Sequence, residues 1–216
     1  MSQLKLWGRS SAFNVQKVLW LLGELSLSFE HQQAGGAHGG LEDPAFRGMN
    51  PHGRVPVLKD GNTIVWESHS ILRYLAARCG AEALWPADPG ARSLVDRWMD
   101  WSLASLQPAF MRLFWGYYRK PPEVWDRAGL RPALAECDRL FALLDGELAG
   151  RAYLAGEAFS LADIPAGTTL YRYFGMGLAV PRHPYVDAWY ARLTARKAYQ
   201  QAIMVPFEEL RGRQDY

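Results

Sequence analysis

Residues 50–61, Asn-Pro-His-Gly-Arg-Val-Pro-Val-Leu-Lys-Asp-Gly, and residues 64–72, Ile-Val-Trp-Glu-Ser-His-Ser-Ile-Leu, carry the groups needed to hold a small zwitterionic peptide. Pro56 bars Val55 from helical angles and donates no hydrogen bond itself, so Val55 is extended and its N–H and C=O can pair with a ligand backbone. Glu67 and Ser68 stand where an apolar-periodic segment begins (Ile71, Leu72, Leu75, Ala76), which predicts a helix. The unpaired N–H groups of its first turn, the positive helix end and the Ser68 hydroxyl suit a carboxylate, while Glu67 suits an ammonium group. Alone, Ser68 reads as a helix cap and Glu67 as a first-turn charge. Beside the Val55 edge, the pair reads as recognition of an amino-acid head.

Positioning these groups requires a small sheet with helices on it. Residues 56–59 and 63–66 are short β-prone runs joined by Asp60-Gly61, which predicts an antiparallel hairpin. Residues 4–7 alternate like a strand, Val15, Val18, Leu19 and Leu22 fall on one helical face, and residues 28–33 suit a second strand. Two strands joined by a helix of that length should be parallel with a right-handed crossover. The glycine-rich residues 34–40 predict a loop, and Asp43-Pro44 predicts an N-cap and first residue of a short helix reaching about Met49. The order β-α-β-α-β-β-α predicts an α/β, thioredoxin-like N-terminal domain over residues 1–80. Pro86 and Pro89 mark residues 81–90 as a linker.

Residues 91–216 hold helical patterns only, with Leu94, Trp98 and Trp101 in one and Leu134, Cys137, Phe141, Leu144 and Leu148 in another. They predict an all-α C-terminal domain, with helices kinked or ended at Pro108 and Pro132. In residues 159–164, Ser160 can cap a helix, Asp163 can return a bond to the Ser160 N–H, and Phe159 and Ile164 can staple across the cap. That is a structural role. His183, just before Pro184, is expected to be a loop or capping residue.

With 216 residues, 49% hydrophobic and 21% charged, the chain can bury a substantial core. A net charge of +2, from 24 basic and 22 acidic side chains, gives no reason to expect nucleic acid or an anionic membrane as partner. The absence of a membrane-length apolar run or a signal pattern predicts a cytoplasmic location. Cys79 and Cys137 are too few and too far apart for a Cys-x-x-Cys or metal motif, and both are expected to be buried or partly buried thiols.

Several separate segments together resemble the cytosolic glutathione S-transferases over nearly the whole chain: Asn50-Pro-x-Gly-x-Val-Pro-x-Leu58, Trp66-Glu67-Ser68-x-x-Ile71, Leu84-Trp85-Pro86 and Ser160-x-Ala162-Asp163. The opening Trp7-Gly8-Arg9-Ser10-Ser11 and Asn14-Val15-Gln16-Lys17-Val18 resembles a bacterial, theta-like branch. The resemblance implies glutathione as co-substrate, a small electrophile bound against the helical domain, a homodimer, no metal and a cis Val55-Pro56 bond. It assigns the Val55 main chain to the cysteinyl part of glutathione, and Glu67 with Ser68 to the γ-glutamyl head. Arg54, His52 and His38 are further candidates for contact with the ligand.

The reaction of such proteins needs a thiolate from a thiol whose unperturbed pKa is about 8.5. Lowering it by about two units requires ~2.7 kcal/mol of preferential stabilisation, and one hydrogen bond to a charged group supplies roughly 1.5–3 kcal/mol. Ser11, then Ser10, and Asn14 are the candidates in the first loop. Ala12 occupies the position where theta-like relatives carry serine, so a loop of different length would give the role to Ser11 or Ser10, and otherwise Asn14 or a main-chain N–H must take it. No cysteine lies in this loop, which argues against a mixed-disulfide mechanism. Trp7, Phe110, Phe114, Trp115, Tyr117 and Tyr118 are candidates for an electrophile pocket. Two alternatives use the same fold: a glutathione-dependent isomerase or dehalogenase, and a non-catalytic binding module.

Overall fold

A computed structural model describes residues 3–214, and the chain divides into two compact units. The first holds residues up to Ala81 together with Lys197–Val205, and the second holds Glu82–Arg196 with Pro206–Gln214.

In the first unit, β1 (Leu4–Trp7), α1 (Phe13–Glu24), β2 (Phe29–Gln32), α2 (Pro44–Met49), β3 (Val57–Asp60), β4 (Thr63–Trp66) and α3 (Ser68–Arg78) follow the anticipated order. The sheet runs β2-β1-β3-β4, with β1 and β2 parallel and the other pairs antiparallel. The hairpin differs by one residue from the expected one. Asp60 pairs with Thr63 and stays in β3, so Gly61 and Asn62 form the loop. Gly61, at φ 57°, supplies the positive angle that a two-residue hairpin needs at its first position. Asp60 is retained in the strand because it binds helix α3, accepting from Tyr74 Oη at 2.9 Å and from the Arg78 guanidinium.

Residues 197–205, expected within the helical domain, instead pack in the first unit. Helix α9 (Lys197–Ala202) lies on α1, where Tyr199 meets Trp20 edge to face at 4.7 Å, and both rings are fully buried. Helix α1 is therefore covered on nearly every side, by α3 as well as by α9.

The second unit is helical, apart from an isolated bridge between Tyr153 and Gly156 among the described residues. Asp88 caps α4 (Pro89–Trp101) by accepting from the Ala91 N–H at 2.8 Å, so Pro89 starts a helix where a linker was expected. A π turn, Ser102–Leu106, joins α4 to α5 (Gln107–Phe114), and a second, Trp115–Arg119, follows. Pro108 would clash with the carbonyl of Ala104 in a regular helix. Ala104 lies inside the first π turn, whose wider winding takes up the misfit without ending the helix. Pro132 likewise lies within α6 (Arg127–Leu148) and does not end it. Helix α8 (Pro184–Thr194) receives its cap from α6, as Asp145 Oδ1 accepts from the Tyr185 and Val186 N–H groups, while His183 bonds Asp138 at 2.9 Å.

Asp163, the first residue of α7 (Asp163–Gly175), is fully buried and accepts from Ser160 N at 2.9 Å, Leu154 N at 3.0 Å and Trp189 Nε1 at 3.0 Å. Its bond to Ser160 N is the one read from the sequence, whereas the bonds to Leu154 and Trp189 tie three separate segments to one carboxylate. Burial raises its pKa to about 6, and the donated hydrogen bonds oppose that rise. Removing the carboxylate strands several buried donors, each costing roughly 1–3 kcal/mol. Asp163→Ala should therefore lose about 3–5 kcal/mol of stability in urea unfolding; a loss under about 1 kcal/mol would contradict this account.

Candidate functional site

Strand β1 runs into Gly8, whose backbone is committed to the β2 side. Its N–H donates to Gln32 O at 2.9 Å, its carbonyl accepts from His31 Nε2 at 2.6 Å, and the next N–H, of Arg9, reaches Ala34 O at 3.0 Å. The β1–β3 ladder ends at the pair Trp7 and Val57. Val55 lies just beyond it and, among the described residues, neither its N–H nor its C=O has a hydrogen-bond partner. The Val55-Pro56 bond is cis, as the resemblance implied. Gly8, at φ 143°, cannot be replaced here: a Cβ would lie 2.4 Å from Val15 Cγ2 and 3.1 Å from Val55 Cβ.

Buried Asn50 shapes the loop before Val55, donating from Nδ2 to Arg54 O at 2.8 Å and accepting the His52 N–H at 3.1 Å. The Arg54 and His52 side chains are exposed, with the His52 ring 5.4 Å from that of Trp66. His38 is exposed in the short turn Gly36–His38.

Glu67 and Ser68 stand at the start of α3 as expected. Ser68 is buried, Glu67 is exposed, and the first intrahelical bond runs from Ile71 N to Glu67 O at 2.9 Å, so the N–H groups of the first turn have no acceptor in the helix. Glu67 adopts φ 68° and ψ 121°, a conformation that costs a non-glycine residue of order 1–3 kcal/mol.

Ala12 is the N-cap of α1, extended at φ −76° and ψ 124° and without a side-chain cap bond. Ser10 is exposed and Ser11 half-exposed in a turn closed by the Ala12 N–H to Arg9 O at 3.0 Å. Asn14 stands in the first turn of α1, and its Oδ1 accepts from Lys17 Nζ at 3.0 Å. That bond fixes the orientation of the Asn14 carboxamide.

Lys17 is a residue to which the sequence reading assigned no role. It is fully buried, bonds His69 Nε2 at 3.3 Å as well as Asn14, and lies 5.0 Å from the centre of the Phe13 ring. Burial lowers its pKa to about 7, and attraction to Glu67 opposes that shift. His69, also buried, is pushed down to about 2 by burial and then by Lys17 and Arg73, so its ring is neutral and Nε2 accepts from Lys17. A lone basic residue one turn into a largely apolar helix was the available signal. It reads as solvent-facing until α3 is known to bring His69 against it.

The electrophile candidates separate by burial. Phe110, Phe114 and Tyr118 are at most 3% exposed and stack on one another at 5.5 and 5.1 Å, with Phe207 5.0 Å from Tyr118. They are core residues of the second unit and present no surface to a ligand. Trp7, Trp115 and Tyr117 remain half-exposed. Cys79 is exposed, contrary to expectation, because it caps the C-terminus of α3; Cys137 is buried, and its thiol pKa is pushed up to about 12. Among the described residues, no helix is long and apolar enough to cross a membrane, and no cluster of His, Cys, Asp and Glu could hold a metal ion.

The family model for the N-terminal domain of glutathione S-transferases matches residues 6–83, and that for the C-terminal domain matches residues 106–197. The chain is 41% identical over 205 residues to glutathione S-transferase GstB of Escherichia coli (strain K12), covering 94% of this chain and 99% of that one. Glutathione S-transferase 3 of Zea mays is 31% identical over 94% of each chain. The theta class glutathione S-transferase of Xanthomonas axonopodis pv. citri, solved with glutathione bound, matches with a TM-score of 0.90 at 43% identity, over 95% of this chain and 99% of that one. The chain belongs to the glutathione S-transferase family. It is a theta-like, bacterial-type member and a transferase enzyme.

Glu67→Gly relieves the backbone strain at the start of α3, so the variant should match or exceed wild-type stability by up to about 1 kcal/mol while binding glutathione more weakly; a clear loss of stability would show that Glu67 is not strained. Because folding lowers the Lys17 pKa from 10.5 to about 7, the unfolded chain binds more protons between those values. Stability therefore rises with pH across that window. The wild-type stability minus that of Lys17→Met should climb over this range, and a flat difference would contradict the lowered Lys17 pKa.

Proposed function

We propose that the protein binds glutathione in its first unit and transfers the tripeptide sulfur, as thiolate, to a hydrophobic electrophile. The observation that carries this reading is the unpaired main chain of Val55, set beyond the end of the β1–β3 ladder. An extended cysteinyl residue fits that edge, forming one hydrogen bond to its N–H and one to its C=O. The γ-glutamyl carboxylate goes to Ser68 and the first-turn N–H groups of α3, and the ammonium group goes to Glu67.

For the thiol, Ser11 is the preferred hydroxyl, because Ser10 is exposed and Ala12 has none. Asn14 Nδ2 and the N–H groups starting α1 are the other donors. Trp7, half-exposed at the end of β1, is the candidate electrophile contact in this unit, and Trp115 is the candidate in the helical unit. Residues 1–80 form the glutathione-binding part, and the protein works as a cytoplasmic homodimer. Ala12 favours one second reading, a glutathione-binding module without catalysis, since it removes a hydroxyl from the helix start.

Titrating wild type with glutathione while following thiolate ultraviolet absorbance tests this. The bound thiol should titrate at least about one unit below its free value of about 8.5. Ser11→Ala should raise that pKa and cut kcat about tenfold, with a smaller effect for Ser10→Ala. Binding without a lowered thiol pKa would select the non-catalytic reading, and no binding would exclude both.

A further inference from the structure

We propose that Lys17 is a positioning residue for thiolate formation: its buried amino group fixes the Asn14 carboxamide and places positive charge behind the first turns of α1 and α3. This deepens the glutathione reading above and rests on it.

Lys17 has no exposed surface, and it donates to two neutral acceptors, Asn14 Oδ1 at 3.0 Å and His69 Nε2 at 3.3 Å. Those two partners stand at the N-terminal turns of the two helices that border the candidate site. Asn14 is in the first turn of α1, and His69 directly follows Ser68 in α3. The carboxylate whose attraction holds charge on Lys17 is that of Glu67, the proposed ammonium ligand. On α3 the other titratable groups nearby are His69, held neutral, and Arg73. On α9, Lys197 is exposed and Tyr199 is engaged with Trp20. A ligand that brings net negative charge to the starts of α1 and α3 therefore meets one buried cation behind both, in surroundings where charge is weakly screened.

Holding Asn14 Oδ1 sets the orientation of the carboxamide in the first turn of α1. The ammonium favours the thiolate over the thiol when glutathione ionises and its proton leaves to solvent. Since Lys17 titrates near neutrality, an arriving anion draws a proton onto it.

The test uses the full-length protein with glutathione and, separately, with S-methylglutathione, which keeps the anionic backbone but has no ionisable thiol. In wild type at pH 7, S-methylglutathione binding should take up as much as about half a proton, read by calorimetry in two buffers of different ionisation enthalpy. Lys17→Met should abolish that uptake. It should also raise the bound-glutathione thiol pKa by about one unit or more and lower kcat about tenfold, with a smaller change in KM. Lys17→Gln keeps hydrogen-bonding donors without the charge, so it should behave likewise if Lys17→Met fails to fold. Asn14→Ala should raise the thiol pKa while leaving the proton uptake in place. A folded Lys17 variant with wild-type thiol pKa and proton uptake would overturn the inference alone, whereas wild type that binds no glutathione would overturn the functional reading with it.

Discussion

The constraint on which the site depends is how β1 divides its hydrogen bonds where it leaves the sheet. Up to Trp7 the strand pairs with β2 on one side and β3 on the other. From Gly8 onward its backbone turns to β2 alone, through Gln32, His31 and Ala34. Val55 is thereby left beside the strand end with no protein partner for its main chain among the described residues. A buried or half-buried peptide group without a partner is costly, so an extended ligand backbone that supplies both bonds is favoured. The absence of a side chain at Gly8 is what allows the two loops to approach so closely.

A second feature is the cation within helix α1. Most helices on a sheet keep one face for solvent, where a lysine costs nothing. Here α3 and α9 both pack on α1, and Lys17, bonded to His69 of α3, is fully buried. Its amino group is instead held by Asn14 Oδ1 and the neutral His69 ring and attracted by Glu67, and Asn14 and Glu67 are also residues that the proposed ligand would contact. Stability and the proposed ligand recognition would thus draw on one electrostatic arrangement. The strained Glu67 backbone lies at the same helix start.

The order of elements in the first unit was legible because each strand and helix there is punctuated by a local signal: Asp43-Pro44, Pro56, Gly61 and the apolar run after Ser68. The Val55 edge and the Glu67-Ser68 pair were legible for the same reason, since proline and a helix start act through neighbouring residues. Lys17 and the placement of α9 were not, because Lys17 is buried against His69 of α3 and Trp20 against Tyr199 of α9, both far away in sequence. The aromatic residues Phe110, Phe114 and Tyr118 show the converse. Their spacing of four puts them on one helical stripe, which looks the same from sequence whether it faces a pocket or a core, and Phe207 closes that stripe into the core. Pro108 showed that a helix-breaking residue need not break a helix when a π turn precedes it.

The central claim is that the Val55 main chain and the start of α3 hold the same tripeptide. Amide hydrogen exchange with and without saturating glutathione measures this directly. The account predicts that the Val55 and Ser68 amides become strongly protected on binding while amides at the Gly61 hairpin tip do not change. Glutathione that binds and leaves the Val55 amide exchanging at its free rate would contradict it.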